Sequence, residues 1–167
     1  QAQAQAQAQS ASSGATESGE VTESTEQVAL QPSKIHVVTD LLDLEINTRG
    51  GDIERADLLQ YSVSKDQPNS RIQLLNDQPN SLYVARSGLL APEQNNAPSH
   101  KAIYSSAAQE YRLTEGQNEL TVPLTWTNEQ GVTVTKSFVF KRGSYALDVQ
   151  YNVTNGSAGE WQGASYV

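Results

Sequence analysis

Apolar and polar residues alternate at every second position along much of this chain. Leu42, Leu44 and Ile46 share one face of an extended segment, and the residues between them are polar. Because successive side chains of a strand point to opposite faces, this alternation predicts a strand with one buried face. The pair Gly50–Gly51 is typical of a tight turn, since glycine adopts positive φ at no steric cost. A second strand is therefore expected to begin near Ile53.

The strongest alternation lies in the last third of the chain and predicts a three-stranded antiparallel meander. Its strands and turns are expected at 120–127, 128–131, 132–140, 141–144 and 145–153. Pro123 has no amide hydrogen for a ladder, so the first of these strands is expected at a sheet edge or with its amide side free at that position. Gly131 is expected at a left-handed position of the hairpin loop. Lys136 is the one charged residue that interrupts the apolar face of the second strand.

Shorter and less regular patterns occupy the rest of the chain. Short strands are predicted at 35–38, 71–75 and 82–86, and a long polar loop at 91–99. The repeated Gln-Pro-Asn-Ser at 67–70 and 78–81 is interpreted as two similar loops, because the flanking residues differ. Residues 160–167 read as the opening of one more strand, which predicts that the domain is truncated there. No segment has a helical stripe, so the fold class is all-β, with a sandwich favoured over a closed barrel.

Residues 1–33 differ in composition from residues 34–167. They start with a Gln-Ala repeat, lack aromatic, Lys and Arg residues, and contain four of the 19 acidic residues of a chain whose net charge is −8. Such a segment buries too little apolar surface to offset its ordering entropy. We therefore predict an acidic, disordered tether at 1–33, spanning roughly 30 Å, and a β-sandwich portion at 34–167. The alternative for Glu17 to Glu26 is an acidic interaction motif.

Composition excludes several classes of function. The chain has no cysteine, which removes disulfides, thiolate nucleophiles, thiolate zinc sites and iron–sulfur clusters. Its acidic balance argues against a nucleic-acid partner, since phosphate binding needs a basic face. No run approaches the roughly 18 consecutive apolar residues of a membrane-spanning helix.

Candidate chemistry is sparse. His36 and His100 supply at most half of a metal shell, and Asp40, Asp43 and Glu45 are more simply outward-facing or turn residues. The Gly-x-Ser-x-Gly, Gly-x-Gly-x-x-Gly and P-loop motifs do not occur. Trp126 and the tyrosines of 145–151 suit either the core or a sugar-binding platform, and the core is favoured. We therefore predict no catalytic, cofactor-binding or metal-binding residue, and no cofactor.

Three separated blocks together resemble one family. They are residues 39–52, 113–124 and 136–153, with divergent loops between them. In this order and spacing they resemble the large periplasmic domain of the YidC membrane protein insertases of Gram-negative bacteria. The resemblance extends from about Lys34 to Asn155, and the acidic tail is similar to the tether that follows the first membrane helix in that family.

The resemblance implies a fold, a location and a context. The fold would be an antiparallel β-supersandwich similar to galactose mutarotases, here truncated. The full-length, membrane-embedded protein would insert and fold inner-membrane proteins, alone or with the Sec translocon. This segment would lie outside the bilayer, on the periplasmic side, as a non-enzymatic scaffold. Its alternatives are a carbohydrate-binding or mutarotase-like protein, since fold does not fix function, and a chaperone surface that holds translocating chains.

Overall fold

The computed structural model describes residues 31–92 and 97–167, and this part of the chain contains strands and turns but no helix. Its strands are β1 (Lys34–Val38), β2 (Leu42–Asn47), β3 (Asp52–Ser64), β4 (Gln67–Leu75), β5 (Gly88–Leu90), β6 (Glu110–Arg112), β7 (Glu119–Thr127), β8 (Val132–Lys141), β9 (Leu147–Asn155) and β10 (Ala164–Tyr166). The predicted tether at 1–33 lies almost wholly outside the described residues and stays a prediction.

The first large sheet has five strands in the order β4-β3-β2-β1-β6. The strands β1 to β4 pair antiparallel in sequence, whereas β6 pairs parallel to β1. Alternate residues of β2 are buried, and Val37 of β1 stands opposite Leu44 of β2. The predicted half-buried strand and the Gly50–Gly51 turn are confirmed, since φ is 74° at Gly50 and 61° at Gly51.

The second large sheet is the predicted meander, β7-β8-β9. Strand β7 is at its edge, as Pro123 requires, and Pro123 stands opposite Ser137 of β8. Gly131, at the predicted left-handed position of the hairpin, has a φ of 87°. Strand β9 pairs with β8 over its full length.

The two large sheets pack face to face around one hydrophobic core, which confirms the all-β sandwich. Both sheets contribute fully buried side chains to it, including Ile35, Ile46, Leu124, Phe138 and Phe140. A smaller cluster of Leu89, Val132 and Val134 lies beside it, and Trp126 packs against both clusters. Burial of this apolar area is the main stabilising term of the fold.

The middle of the chain corrects three predictions. Residues 67–70 are not a loop but the start of β4, because the hairpin from β3 is much longer than the apolar pattern indicates. Residues 82–86 are not a strand and contribute isolated bridges at Tyr83 and Ala85 only. The apolar face predicted for 145–153 is only partly covered, since Tyr145 precedes β9 and is 41% exposed.

The expected strand within 160–167 is present as β10, which pairs antiparallel with β5 in a separate two-stranded sheet. The sequence pattern does not predict β5, because this strand has only three residues and lies between polar loops.

Within the described ranges, none of the secondary structure is a helix long and apolar enough to cross a membrane.

Candidate functional site

A buried lysine joins the two large sheets. Lys136 of β8 is 0% exposed, and its Nζ donates hydrogen bonds to the carbonyls of Gly50 (2.8 Å), Gly51 (2.9 Å) and Ser87 (3.0 Å). The first two carbonyls belong to the turn between β2 and β3, and the third precedes β5. The charge that interrupts an apolar strand face is therefore matched by three acceptors from two distant segments.

Two features of the surroundings of Lys136 have opposite effects on its pKa. Burial lowers the pKa of Lys136 to about 8, and the nearby carboxylate of Asp52 acts in the other direction. The rings of Phe138 and Tyr151 lie 5.2 and 5.8 Å from Nζ and add cation–π attraction. The side chain is thus still mostly charged at neutral pH.

Asp52 is the nearest negative charge and is itself buried. Its Oδ2 accepts a hydrogen bond from Arg86 Nε at 3.1 Å, while its Oδ1 has no partner among the described residues. Burial raises the pKa of Asp52, and the charges of Lys136 and Arg86 limit the rise. Burial also raises the pKa of the adjacent Tyr104 hydroxyl. These groups form a packed polar cluster with no adjoining cleft among the cavities described below.

An apolar groove of about 290 Å³ lies between strands β2 to β4 of the first sheet and the start of β9. Its rim carries side chains that remain exposed, namely Leu74 (48%), Tyr83 (67%) and Tyr145 (41%). Its floor is formed by core residues such as Leu44 and Leu147. Apart from the phenols of Tyr83 and Tyr145, the side chains that line the groove are aliphatic, so it suits packing rather than catalysis.

A second cavity, of about 610 Å³, lies beside Trp126. Its lining includes Lys101 and Glu129, so it is more polar than the groove. Trp126 is only partly buried and packs against both apolar clusters. The favoured interpretation of Trp126 as a core residue therefore holds, although one part of its side chain lines this cavity.

The two histidines form separate contacts. His36 Nε2 lies 2.7 Å from Asp43 Oδ1, and His100 Nδ1 lies 2.8 Å from the hydroxyl of Tyr166 in β10. Asp40 accepts a hydrogen bond from the amide of Gly143. In the part of the chain that the structure describes, no three His, Asp or Glu side chains are grouped as metal ligands.

Fold and site together define a β-sandwich domain in which the buried Lys136 binds backbone carbonyls and an apolar groove opens to solvent. Residues 34–167 match the family model of the YidC periplasmic domain. The chain is 46% identical over 149 residues to the membrane protein insertase YidC of Methylococcus capsulatus, covering 89% of this chain and 27% of that protein. It is 47% identical over 150 residues to YidC of Thioalkalivibrio sulfidiphilus, covering 85% and 27%.

The chain therefore belongs to the YidC membrane protein insertase family, and residues 34–167 belong to its periplasmic domain. This membership places them on the periplasmic side of the bacterial inner membrane. The chain spans about a quarter of the length of the curated relatives it matches. The carbohydrate-binding alternative is not favoured, because these relatives carry the name of insertases.

Proposed function

We propose that the full-length polypeptide inserts and folds inner-membrane proteins, alone or with the Sec translocon, and that residues 34–167 serve it as a non-enzymatic periplasmic scaffold. The observation that carries this proposal is the 46% identity to a membrane protein insertase over most of the chain. The packing of the described residues supports the scaffold role, since Lys136 is buried and its three donors are saturated by backbone carbonyls.

Complementation tests the insertase activity. Bacteria depleted of their own insertase would receive the full-length polypeptide, and insertion of a single-span reporter would be followed by protease accessibility. We expect insertion to recover with the full-length polypeptide and not with residues 1–167 exported alone, which serve as the matched control. Absence of recovery at normal expression would contradict the proposal.

We also propose that residues 34–167 are the N-terminal portion of a larger β-sandwich. The groove supports this, because Leu74, Tyr83 and Tyr145 leave apolar surface exposed around it. The relatives are long enough to supply further strands, since the aligned region is 27% of their length. Strands of the same polypeptide would then cover the groove.

Photocrosslinking tests what covers the groove. A benzoylphenylalanine at Tyr83, which is 67% exposed, is expected to crosslink within the full-length polypeptide. The same group at Glu115, exposed and outside the groove, is the control and is expected to give no such adduct. Adducts of Tyr83 with translocating chains would overturn the larger sandwich and favour the chaperone surface instead.

A further inference from the structure

The surroundings of Lys136 have the composition of a cation-binding site. Three backbone carbonyls lie 2.8 to 3.0 Å from Nζ. The carboxylate of Asp52 attracts the same charge, and the faces of two aromatic rings lie within 6 Å of it. Carbonyl and carboxylate oxygens are typical ligands of cations, and aromatic faces attract ammonium groups. Here the cation is supplied by the protein's own side chain.

The number of donors matches the number of acceptors only in the charged state. An ammonium group has three N–H donors, one for each of the carbonyls of Gly50, Gly51 and Ser87, whereas a neutral amine has two. Hydrogen bonds from a charged donor are also stronger than those from a neutral one. Against this stands the cost of taking a charge out of water, which often cancels the gain in stability. The arrangement therefore fixes geometry more than it adds stability.

The geometry it fixes extends to the last strand. Ser87, held through its carbonyl, also accepts a hydrogen bond at its Oγ from Tyr151 Oη at 3.0 Å. The next residue, Gly88, begins β5 and stands opposite Tyr166 of β10. A displacement of Ser87 would thus be passed directly to the pairing of β5 with β10.

We propose that Lys136 fills an internal cation-binding site, and that the ammonium group positions the β2–β3 turn and, through Ser87, the β5–β10 sheet. The inference does not depend on the proposed insertase activity, since it concerns contacts within residues 50–166. It makes Lys136 a positioning residue whose three-donor ammonium group a free alkylammonium ion can replace, whereas a metal cation, which has no N–H donors, cannot.

The test is hydrogen–deuterium exchange on the full-length polypeptide carrying Lys136→Ala. The amides of Gly50 and Leu89, which donate to Ala102 and Pro98, and those of β10 are expected to exchange at least tenfold faster. Propylammonium supplies three carbons and an ammonium group, which correspond to Cγ, Cδ, Cε and Nζ of the lysine. It is expected to restore the slow exchange, whereas sodium at the same ionic strength is not.

Two variants serve as controls. Lys141→Ala removes an exposed lysine from the same strand and is expected to leave these amides unchanged. Lys136→Met fills the cavity without the charge, so it is expected to show the fast exchange with no response to propylammonium; it also replaces Lys136→Ala should that variant fail to fold. Exchange at wild-type rates in both Lys136 variants would overturn the proposal. Rescue by sodium, or rescue of Lys136→Met by propylammonium, would overturn it equally.

Discussion

Two glycines of this chain share a backbone conformation but differ in their surroundings. Gly50 and Gly116 have φ values of 74° and 82°. A Cβ on Gly50 would collide with the carbonyl oxygen of His100 and lie 2.7 Å from Asp52 Oδ1, whereas one on Gly116 would meet nothing within 4 Å. The strain of a left-handed residue is thus common to both positions, and crowding is confined to Gly50.

Substitution by alanine separates these two effects. We expect Gly116→Ala to lower the free energy of unfolding by about 1 kcal/mol, from backbone strain alone. Gly50→Ala is expected to cost about 3 kcal/mol or more, because the turn must also move away from His100. Urea denaturation measures the free energy of unfolding of both variants. Equal losses would show that the turn accommodates the added methyl group at Gly50 at no cost in stability.

The titration of Lys136 predicts how stability depends on pH. Its pKa is about 8 in the folded protein against 10.5 for an ordinary lysine. The unfolded chain therefore binds this proton more tightly, so that stability rises as pH increases through the window from 8 to 10.5. Between pH 7 and pH 9.5 the titration of Lys136 is therefore expected to raise the free energy of unfolding by about 2 kcal/mol.

Denaturation of Lys136→Met at the same two pH values is the control. The variant lacks the group, so its stability is expected to lack this rise. Burial raises the pKa of both Tyr104 and Tyr151, so their effect, which lowers stability, begins only near pH 10. If the free energy of unfolding of the wild-type protein changed with pH in the same way as that of the variant between pH 7 and 9.5, the lowered pKa of Lys136 would be contradicted.

At the scale of the elements, the contact of β5 with β10 depends on the absence of a side chain. A Cβ on Gly88 would lie 2.6 Å from Tyr166 Oη. Because the hydroxyl of Tyr166 also accepts a hydrogen bond from the amide of His100, moving the ring would break that hydrogen bond. We expect Gly88→Ala to expose β10 while the two large sheets stay folded.

Deuterium uptake in residues 162–167 measures this effect, with a gain of about tenfold in rate expected from the loss of roughly 1.4 kcal/mol. Gly159→Ala is the matched control, since a Cβ there would meet nothing within 4 Å. Unchanged uptake in Gly88→Ala would mean that Tyr166 does not hold the strand.

The long strands could be predicted from the sequence because apolar residues occupy every second position, and these are the positions that are buried. Strand β8 is buried at every second position from Val132 to Phe138, which is four of its first seven residues, and β2 likewise alternates from Leu42 to Asn47. The three-residue strands β5 and β6 carry too few positions for a period, and β10 can be predicted only because the alternation of 160–167 is longer than the strand itself. Each forms only because a partner distant in sequence offers an edge.

The site could be predicted only as an anomaly. Lys136 stands out as a charge on an apolar face, and Gly50–Gly51 stands out as a turn. What joins them is the packing of one sheet on the other, which no local pattern encodes. Ser87 carries no signal at all, because it takes part through its backbone carbonyl.

At the scale of the whole molecule, the exposed rim of the groove predicts an effect of chain length. Leu74 is 48% exposed in residues 1–167, so Leu74→Asn is expected to change the stability of this chain by less than about 0.5 kcal/mol. In the full-length polypeptide, where we propose that further strands cover the groove, the same change is expected to cost about 2 kcal/mol.

Leu44→Ala is the control for this comparison, because Leu44 is buried in the core at 2% exposure. Its cost is expected to be about 3 kcal/mol at both chain lengths. An equally small effect of Leu74→Asn in the longer polypeptide would leave the groove open to solvent there.

The parallel pairing of β1 with β6 has a consequence for the order of folding. Residues His36 to Val38 pair with Glu110 to Arg112, so a long stretch of chain must be closed into a loop before this contact forms. Loop closure of this kind slows folding, because its entropy is lost before the contact is gained. A chain that crosses a membrane from its N-terminus would carry β1 across with one edge bare. The first sheet is then completed only after residue 112 has emerged.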